Sequence, residues 1–348
     1  MARGERPLQI DLLSEPEVES ALDGCTHVVN CSRGDDKVML RGLSNLLRHC
    51  KRLSVQKFVH LSSVLVYGDP PSDDSVSEDG QTQPKKHSYG WIKLQQDKMV
   101  QHAARQGLPA VILCPPNIFG PYSYFPIQIL NSMINGRFRV VDSGDMPCNT
   151  VDVLNLCHAI FLALQSEERL AHRYFITDNL PVCWADVVSE LSTVAGSDLH
   201  VETISRIEFH QFRRSNEKSK LSILRSLKHL VSSDVREALR KDPLWEKFDQ
   251  ACRSMVAKLG SKLEDKARLA IEGPIKIPLS QSDSDDFDLE LVAQQTRGVR
   301  HSCSRAISEL GYEPLVTFKQ SMAAFRNWYQ FHSGINSEYW DLAKHLRS

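Results

Sequence analysis

Apolar positions along the chain alternate between short uninterrupted runs and longer stretches spaced three and four residues apart. This is the pattern of strands feeding helices in βαβ units, and hence of a parallel sheet. Leu8-Gln-Ile-Asp-Leu12 reads as a strand, Glu15 to Leu22 as a short helix, and Thr26-His-Val-Val-Asn-Cys31 as a buried strand after a glycine-containing turn. Val38, Leu40, Leu43, Leu46 and Leu47 form an apolar stripe that predicts an amphipathic helix from Asp36 to Arg52. Lys57-Phe-Val-His-Leu-Ser62 is the next strand, Ser88 to Arg105 the next helix, and Ala110-Val-Ile-Leu-Cys114 the strand after it. Pro115-Pro116 then supports neither ladder nor helix and carries the chain into a loop beyond the sheet.

Beyond Asn117 the pattern is mixed, with helices predicted near Pro126 to Ile134, Asn155 to Gln165 and Trp184 to Ala195, separated by short strands. From about residue 205 to 270 it is helical again and nearly free of glycine, with 16 basic and 9 acidic residues. The Ser280-Gln-Ser-Asp-Ser-Asp-Asp286 stretch that follows reads as a linker. The expected organisation is a nucleotide-binding and catalytic core over residues 1–116 and a mixed core and substrate domain over 117–204. A basic helical insertion with its linker covers 205–290, and carboxyl-terminal helices of the substrate domain cover 291–348.

Composition adds mainly exclusions. A formal net charge of -1 leaves no global field to gather nucleic acid. The nine cysteines are scattered singly, without a CxxC pair or histidines at zinc-ligand spacing, so they read as reduced thiols and no metal site is expected. His158 and His172 read as ordinary surface or core histidines. The first residues lack the apolar region of a secretory signal and no apolar run approaches a membrane span, so the expected compartment is the cytoplasm. The basic insertion reads first as a solvated helical cap packed through Leu221, Leu224, Leu227 and Leu230, and second as a weak membrane-surface contact.

Candidate chemistry lies in Tyr89-Gly-Trp-Ile-Lys93, which puts a tyrosine and a lysine on one helix face. Alone such a pair is weak evidence. Its context is His60-Leu-Ser62-Ser63-Val-Leu-Val-Tyr67-Gly68, which places hydroxyls at the carboxyl edge of a parallel sheet, where doubly wound folds bind ligands. A tyrosine exchanges protons readily at neutral pH when a nearby cation favours the phenolate, and Lys93 is one turn away. Ser63 would hold the reacting oxygen of a small-molecule substrate against Tyr89.

Ser62-Ser63 through Tyr67-Gly68, followed by Tyr89-x-x-x-Lys93, resembles the catalytic signature of the extended short-chain dehydrogenases/reductases, the NAD-dependent epimerase/dehydratase family. Pro115-Pro-Asn-Ile-Phe-Gly-Pro121, Asn149-Thr-Val-Asp-Val153 with Asn155-Leu-Cys-His-Ala159, and Ala306-Ile-Ser-Glu-Leu-Gly-Tyr-Glu-Pro314 are similar to three further family segments in the same order. The resemblance implies a doubly wound, Rossmann-like parallel sheet with a smaller carboxyl-terminal substrate domain. It implies NAD or NADP as cofactor, and oxidation, reduction, epimerisation or dehydration of a nucleotide sugar or similar hydroxyl or ketone substrate. Tyr89 would be the general acid/base, Lys93 would lower its pKa and hold ribose, and Ser63 would position oxygen. Cys31, Ser32, Ser62, Pro115 and Pro116 would line the cofactor beside Tyr89 and Lys93, and Asn117 would face substrate. Small residues at Cys31 and Ser32 also suit close packing, and an Asn in a proline-rich turn also suits a bond to its own backbone. A homodimer through the helices after the family's fourth and fifth strands is implied as well.

The sequence departs from the family at its start. The strand, GxxGxxG turn and helix that cradle a pyrophosphate are missing, and Leu8 to Leu12 corresponds to the family's third strand. A late start or a truncation is the expected reason. Met39, Cys114 and Leu154 stand where the family has Asn, Arg and Asp. Two alternatives therefore remain: a catalytically silent Rossmann-like binding or scaffold protein, and a 3β-hydroxysteroid-dehydrogenase-like or peripheral-membrane enzyme on a lipid-linked substrate.

Overall fold

The computed structural model describes residues 8–195, 199, 201–220 and 287–333. The chain divides into two compact units, Met1–Ile204 with Asp286–Ala343, and Ser205–Asp285 with Lys344–Ser348. In the first unit, β1 (His27–Asn30), β2 (Lys57–Leu61), β3 (Ala110–Cys114) and β7 (Leu170–Phe175) form one sheet in that order, every pair parallel. Two small parallel pairs accompany it: β4 (Asn117–Phe119) with β6 (Thr150–Asp152), and β5 (Arg139–Val141) with β8 (Glu202–Ile204).

Both faces of the main sheet are covered, as a parallel sheet requires. On one face α1 (Glu15–Leu22), α2 (Leu43–Arg52) and α3 (Tyr89–Arg105) bury Val18, Leu46, Leu47 and Val100 against Phe58, Ala110 and Ile112. On the other, α5 (Val153–Gln165) and α9 (Ser304–Leu310) bury Leu156, Ala159 and Ala306 against Val59, Val111 and Leu113. Alternate residues of each strand thus feed opposite cores. A third core gathers Phe119, α4 (Tyr124–Ile134), α6 (Trp184–Ala195), α8 (Leu289–Gln294) and α10 (Phe318–Ser333) around Trp184. Of the second unit, α7 (Arg206–Lys220) is described; Ser205 caps it by a reciprocal exchange, its Oγ and backbone N–H donating to Glu208 and its Oγ accepting from the Glu208 N–H. The leucines from 221 to 230 and the Ser/Asp stretch at 280–286 lie outside the described residues.

Two predicted elements change form. Residues 8–12 are not a strand. A strand exists only where its backbone finds a ladder, and among the described residues this segment finds none; instead the Leu12 carbonyl accepts from Asn45 and its side chain packs against the first core. The helix predicted from Asp36 begins with a π turn over Val38–Gly42 before α2 continues. The extra residue in that turn rotates the buried stripe, so Met39 and Gly42 are buried while Val38 and Leu40 are half-buried. The Met39 carbonyl accepts from the buried Gln96 amide of α3 at 2.6 Å.

The segment near residue 300 is stitched to the sheet by a buried histidine. His301 Nδ1 lies 2.7 Å from the Ser75 carbonyl, and its ring is 4.7 Å from that of Phe175. Burial lowers its pKa from 6.5 to about 4, against the bond to Ser75. Because the folded value lies below the unfolded one, the unfolded chain takes up the proton first. The stability His301 contributes is complete above about pH 6.5 and is lost as pH falls toward 4, by about 3 kcal/mol. Buried His60 titrates in the same sense. Chemical denaturation at a series of pH values should therefore show stability falling between pH 6.5 and 4, and His301→Gln should flatten that fall.

Candidate active site

Tyr89 is the first residue of α3, and the Ser88 hydroxyl caps the helix by accepting from the Trp91 N–H at 3.3 Å. Four residues on, Lys93 is buried, and its Nζ donates to the Leu61 carbonyl at the carboxyl end of β2, 2.8 Å away. The Lys93 Nζ is 5.9 Å from the centre of the Tyr89 ring. Tyr89 remains 38% exposed, so its ring faces the space above the sheet edge. Burial lowers the Lys93 pKa to about 8, with Asp97 opposing that shift. Burial raises that of Tyr89, with Arg33 opposing. The lysine therefore carries its charge at neutral pH, and the tyrosine is a neutral phenol.

Ser63 follows β2 in extended conformation and caps the 3₁₀ turn Val64–Tyr67, its Oγ accepting from the Leu65 N–H at 3.2 Å. Among the described residues its hydroxyl proton has no acceptor, so it is available to a ligand oxygen. This turn is held from both sides: the Val64 N–H donates to the Pro115 carbonyl, and the Tyr67 hydroxyl donates to the Glu78 carbonyl. Gly90 brings the turn to the start of α3. A Cβ on Gly90 would lie 2.2 Å from the Leu65 carbonyl oxygen, a distance that only glycine permits. The residue between Tyr89 and Trp91 is therefore what lets the Ser63 segment and the Tyr89 helix meet.

The other predicted positions are placed as follows. Cys31 and Ser32 directly follow β1 at the same edge; Ser32 donates through both N–H and Oγ to Asn30 Oδ1, and the Cys31 thiol lies within reach of the Lys93 charge. Ser62 is buried beside the Asp97 carboxyl and the Cys114 thiol, beneath the edge. Pro115 is buried and Pro116 half-buried at the end of β3. Asn117 is half-buried in β4, with its side chain beside the thiol of Cys148, a residue of the third core.

Three residues not anticipated from the sequence complete the surroundings. Asp97 is fully buried one turn after Lys93 and receives Arg173 Nε of β7 at 2.6 Å; burial holds its carboxyl above the usual range. Arg33 lies over the Tyr89 ring, 5.4 Å from its centre. The spacing Tyr89, Lys93, Asp97 was visible as one helix face, whereas the partners on β7 and after β1 required the tertiary structure. Away from the site, Glu168, His172 and Glu309 bring donor atoms within 4.8 Å of one another. They are joined through Tyr174 and by the His172–Glu168 contact, so they form a polar network of their own.

A parallel sheet covered on both faces, with a tyrosine–lysine pair at its carboxyl edge, defines a Rossmann-like α/β protein. The family model of the NAD dependent epimerase/dehydratase family matches residues 2–176. The chain belongs to this family, whose members depend on NAD(P). A curated relative, a 4-hydroxy-2-methyl-3-oxo-4-farnesyl-3,4-dihydroquinoline-1-oxide ketoreductase from Stigmatella aurantiaca, is 26% identical over 194 residues. That alignment takes in 52% of this chain and 57% of the relative, so the chain spans little more than half the relative's length. Among solved structures, a dTDP-glucose 4,6-dehydratase double mutant from Streptomyces venezuelae with NAD bound has a TM-score of 0.62 at 16% identity, covering 98% of this chain and 84% of that one. RMD from Pseudomonas aeruginosa, complexed with NADPH, has a TM-score of 0.57 at 16% identity, covering 94% and 89%. These two likenesses are of fold. Among the described residues no helix is long and apolar enough to cross a membrane.

The Gly90 contact gives a direct test. Gly90→Ala should force the Ser63 turn and α3 apart, costing about 1–3 kcal/mol of stability by thermal or chemical denaturation. Gly107→Ala serves as the comparison, because its Cβ would meet nothing within 4 Å while its φ is +99°. That variant reports backbone strain without a clash, whereas Gly90→Ala reports the clash.

Proposed function

We propose that the chain is an NAD(P)-dependent oxidoreductase of the epimerase or dehydratase kind, acting at the carbon bearing a hydroxyl or ketone of a nucleotide sugar or a similar substrate. The observation that carries this reading is the buried Lys93 ammonium at the carboxyl edge of the sheet, one turn from Tyr89. Three N–H donors are available on Lys93, and among the described residues one is engaged, by the Leu61 carbonyl. The others fit the hydroxyls of a ribose. The nicotinamide-ribose half of a dinucleotide is thus provided for by Lys93 and Tyr89, with Cys31 and Ser32 at the neighbouring strand end. The pyrophosphate half would call for a GxxGxxG turn, which these 348 residues do not contain.

When bound, the dinucleotide supplies the hydride acceptor or donor. The chain's own part is proton transfer and positioning. Tyr89 gives a proton to the substrate oxygen as the phenol, or takes one from it as the phenolate. Ser63 donates its free hydroxyl proton to the same oxygen and fixes the reacting carbon over the sheet edge. Lys93 orients the ribose and, through its charge, favours the phenolate. The ketoreductase name of the curated relative and the dTDP-glucose of the structural neighbour support a hydroxyl–ketone couple. A second reading is a silent binding protein, and one titration separates the two.

Calorimetric titration of the chain with NAD(H) and NADP(H) should show binding, weakened about tenfold or more by Lys93→Ala. Absence of binding to all four would overturn the enzymatic reading and leave the silent one. Affinity should also depend on pH. Lys93 is charged below its pKa of about 8, so binding should hold at neutral pH and weaken as pH rises through that value; a flat profile from pH 7 to 9 would remove Lys93 from the cofactor contact.

A further inference from the structure

Arg33, in the loop after β1, lies over the ring of Tyr89 with its guanidinium carbon 5.4 Å from the ring centre, and Lys93 Nζ is 5.9 Å from the same point. The two cations differ in how they are held. Lys93 is buried and donates to the Leu61 carbonyl, with Asp97 one turn further along the helix. Arg33 is exposed, and among the described residues it has neither ion pair nor hydrogen bond; its one contact of this kind is with the ring.

We propose that Arg33 is a positioning residue of this site, its guanidinium lying against Tyr89 as a second, permanently charged group that stabilises the phenolate beside Lys93, which also ties the helix to the sheet edge. The inference rests on the reading of Tyr89 as the proton-transfer group. Lys93 in turn faces Asp97 on its own helix and Cys31 after β1, and Arg173 of β7 is paired with Asp97. Lys93 gives up its proton near pH 8, below the range in which Tyr89 ionises, whereas a guanidinium keeps its charge throughout. Arg33 is also the group whose charge opposes the upward push of burial on the Tyr89 phenol. A guanidinium against the phenol face therefore persists through the whole titration of the group it serves.

The test is an ultraviolet absorbance titration of the full chain at low ionic strength, with the Tyr89→Phe curve subtracted so that the difference isolates Tyr89. Arg33→Ala should raise the Tyr89 midpoint by roughly half a unit or more, lowering the phenolate fraction about threefold at a given pH, and Arg33→Lys should restore most of it. An unchanged midpoint in Arg33→Ala would overturn the proposal, as would an Arg33→Lys curve that matches Arg33→Ala, since the effect would then not be one of charge. The measurement uses neither substrate nor cofactor, so a failure of Arg33 is distinguishable from a failure of the oxidoreductase reading.

Discussion

The burial of the Lys93 ammonium is the constraint on which the arrangement of the site depends. A charge taken out of water is costly unless it is hydrogen-bonded and paired, and here the compensation comes from two directions. The Leu61 carbonyl at the end of β2 accepts from Nζ, and Asp97 on the next turn faces it with a carboxylate that Arg173 of β7 holds in place. Helix α3 is therefore tied to the second and fourth strands of the sheet through polar groups that have no cheap alternative. Sliding the helix by one turn would strand a buried cation. Tyr89 has its position because Lys93 has no other place to go.

That constraint joins a second one, which is purely steric. The absence of a side chain at Gly90 lets the Leu65 carbonyl approach α3, and the turn capped by Ser63 comes with it. Pro115 fixes the far side of the same turn through its carbonyl, so three consecutive connections, after β2, before α3 and after β3, converge above one edge. The other family-like segments serve the frame. Asn155 accepts from the backbone of Leu315 and Val316, and the Tyr312 hydroxyl donates to the Thr177 carbonyl, so these residues close the carboxyl-terminal turn onto the sheet.

Much of this was legible in the sequence because it rests on local period and local chemistry. The strand at Ala110–Cys114 and the helices at Glu15–Leu22 and Trp184–Ala195 have the predicted bounds, since apolar runs, caps and prolines specify them without help. Residues 8–12 misled because an apolar alternation describes a face to be buried, and the ladder that would make it a strand must come from elsewhere in the fold. The π turn at Val38–Gly42 was invisible for the converse reason: its regularity is that of a helix, and its extra residue is fixed by Gln96, more than fifty positions away. In the candidate site, Tyr89 and Lys93 stand out by their spacing, and Ser63 by its place at a strand end in a family-like segment. Asp97 shared their helix face but carried no signal until Arg173 was seen beneath it, and Arg33 could not be connected to Tyr89 without the loop that brings them together.

One environment acts on Tyr89 and Lys93 in opposite senses. Desolvation disfavours whichever form is charged, so it raises the phenol and lowers the ammonium, and the two pKa values are driven away from the arrangement a phenolate–ammonium pair would need. The resting site is thus a neutral phenol beside a charged lysine, which under the proposed function is the form that gives a proton to a ketone oxygen. Under the same proposal, taking a proton from a carbinol is the harder direction, because the phenolate must first be formed in a partly desolvated place. Any positive charge held against the ring without being buried itself shifts that balance at little cost of its own, since it keeps its hydration while acting on a group that has lost part of its own. The geometry of an exposed guanidinium on a partly desolvated phenol meets that condition, and a second buried cation would not.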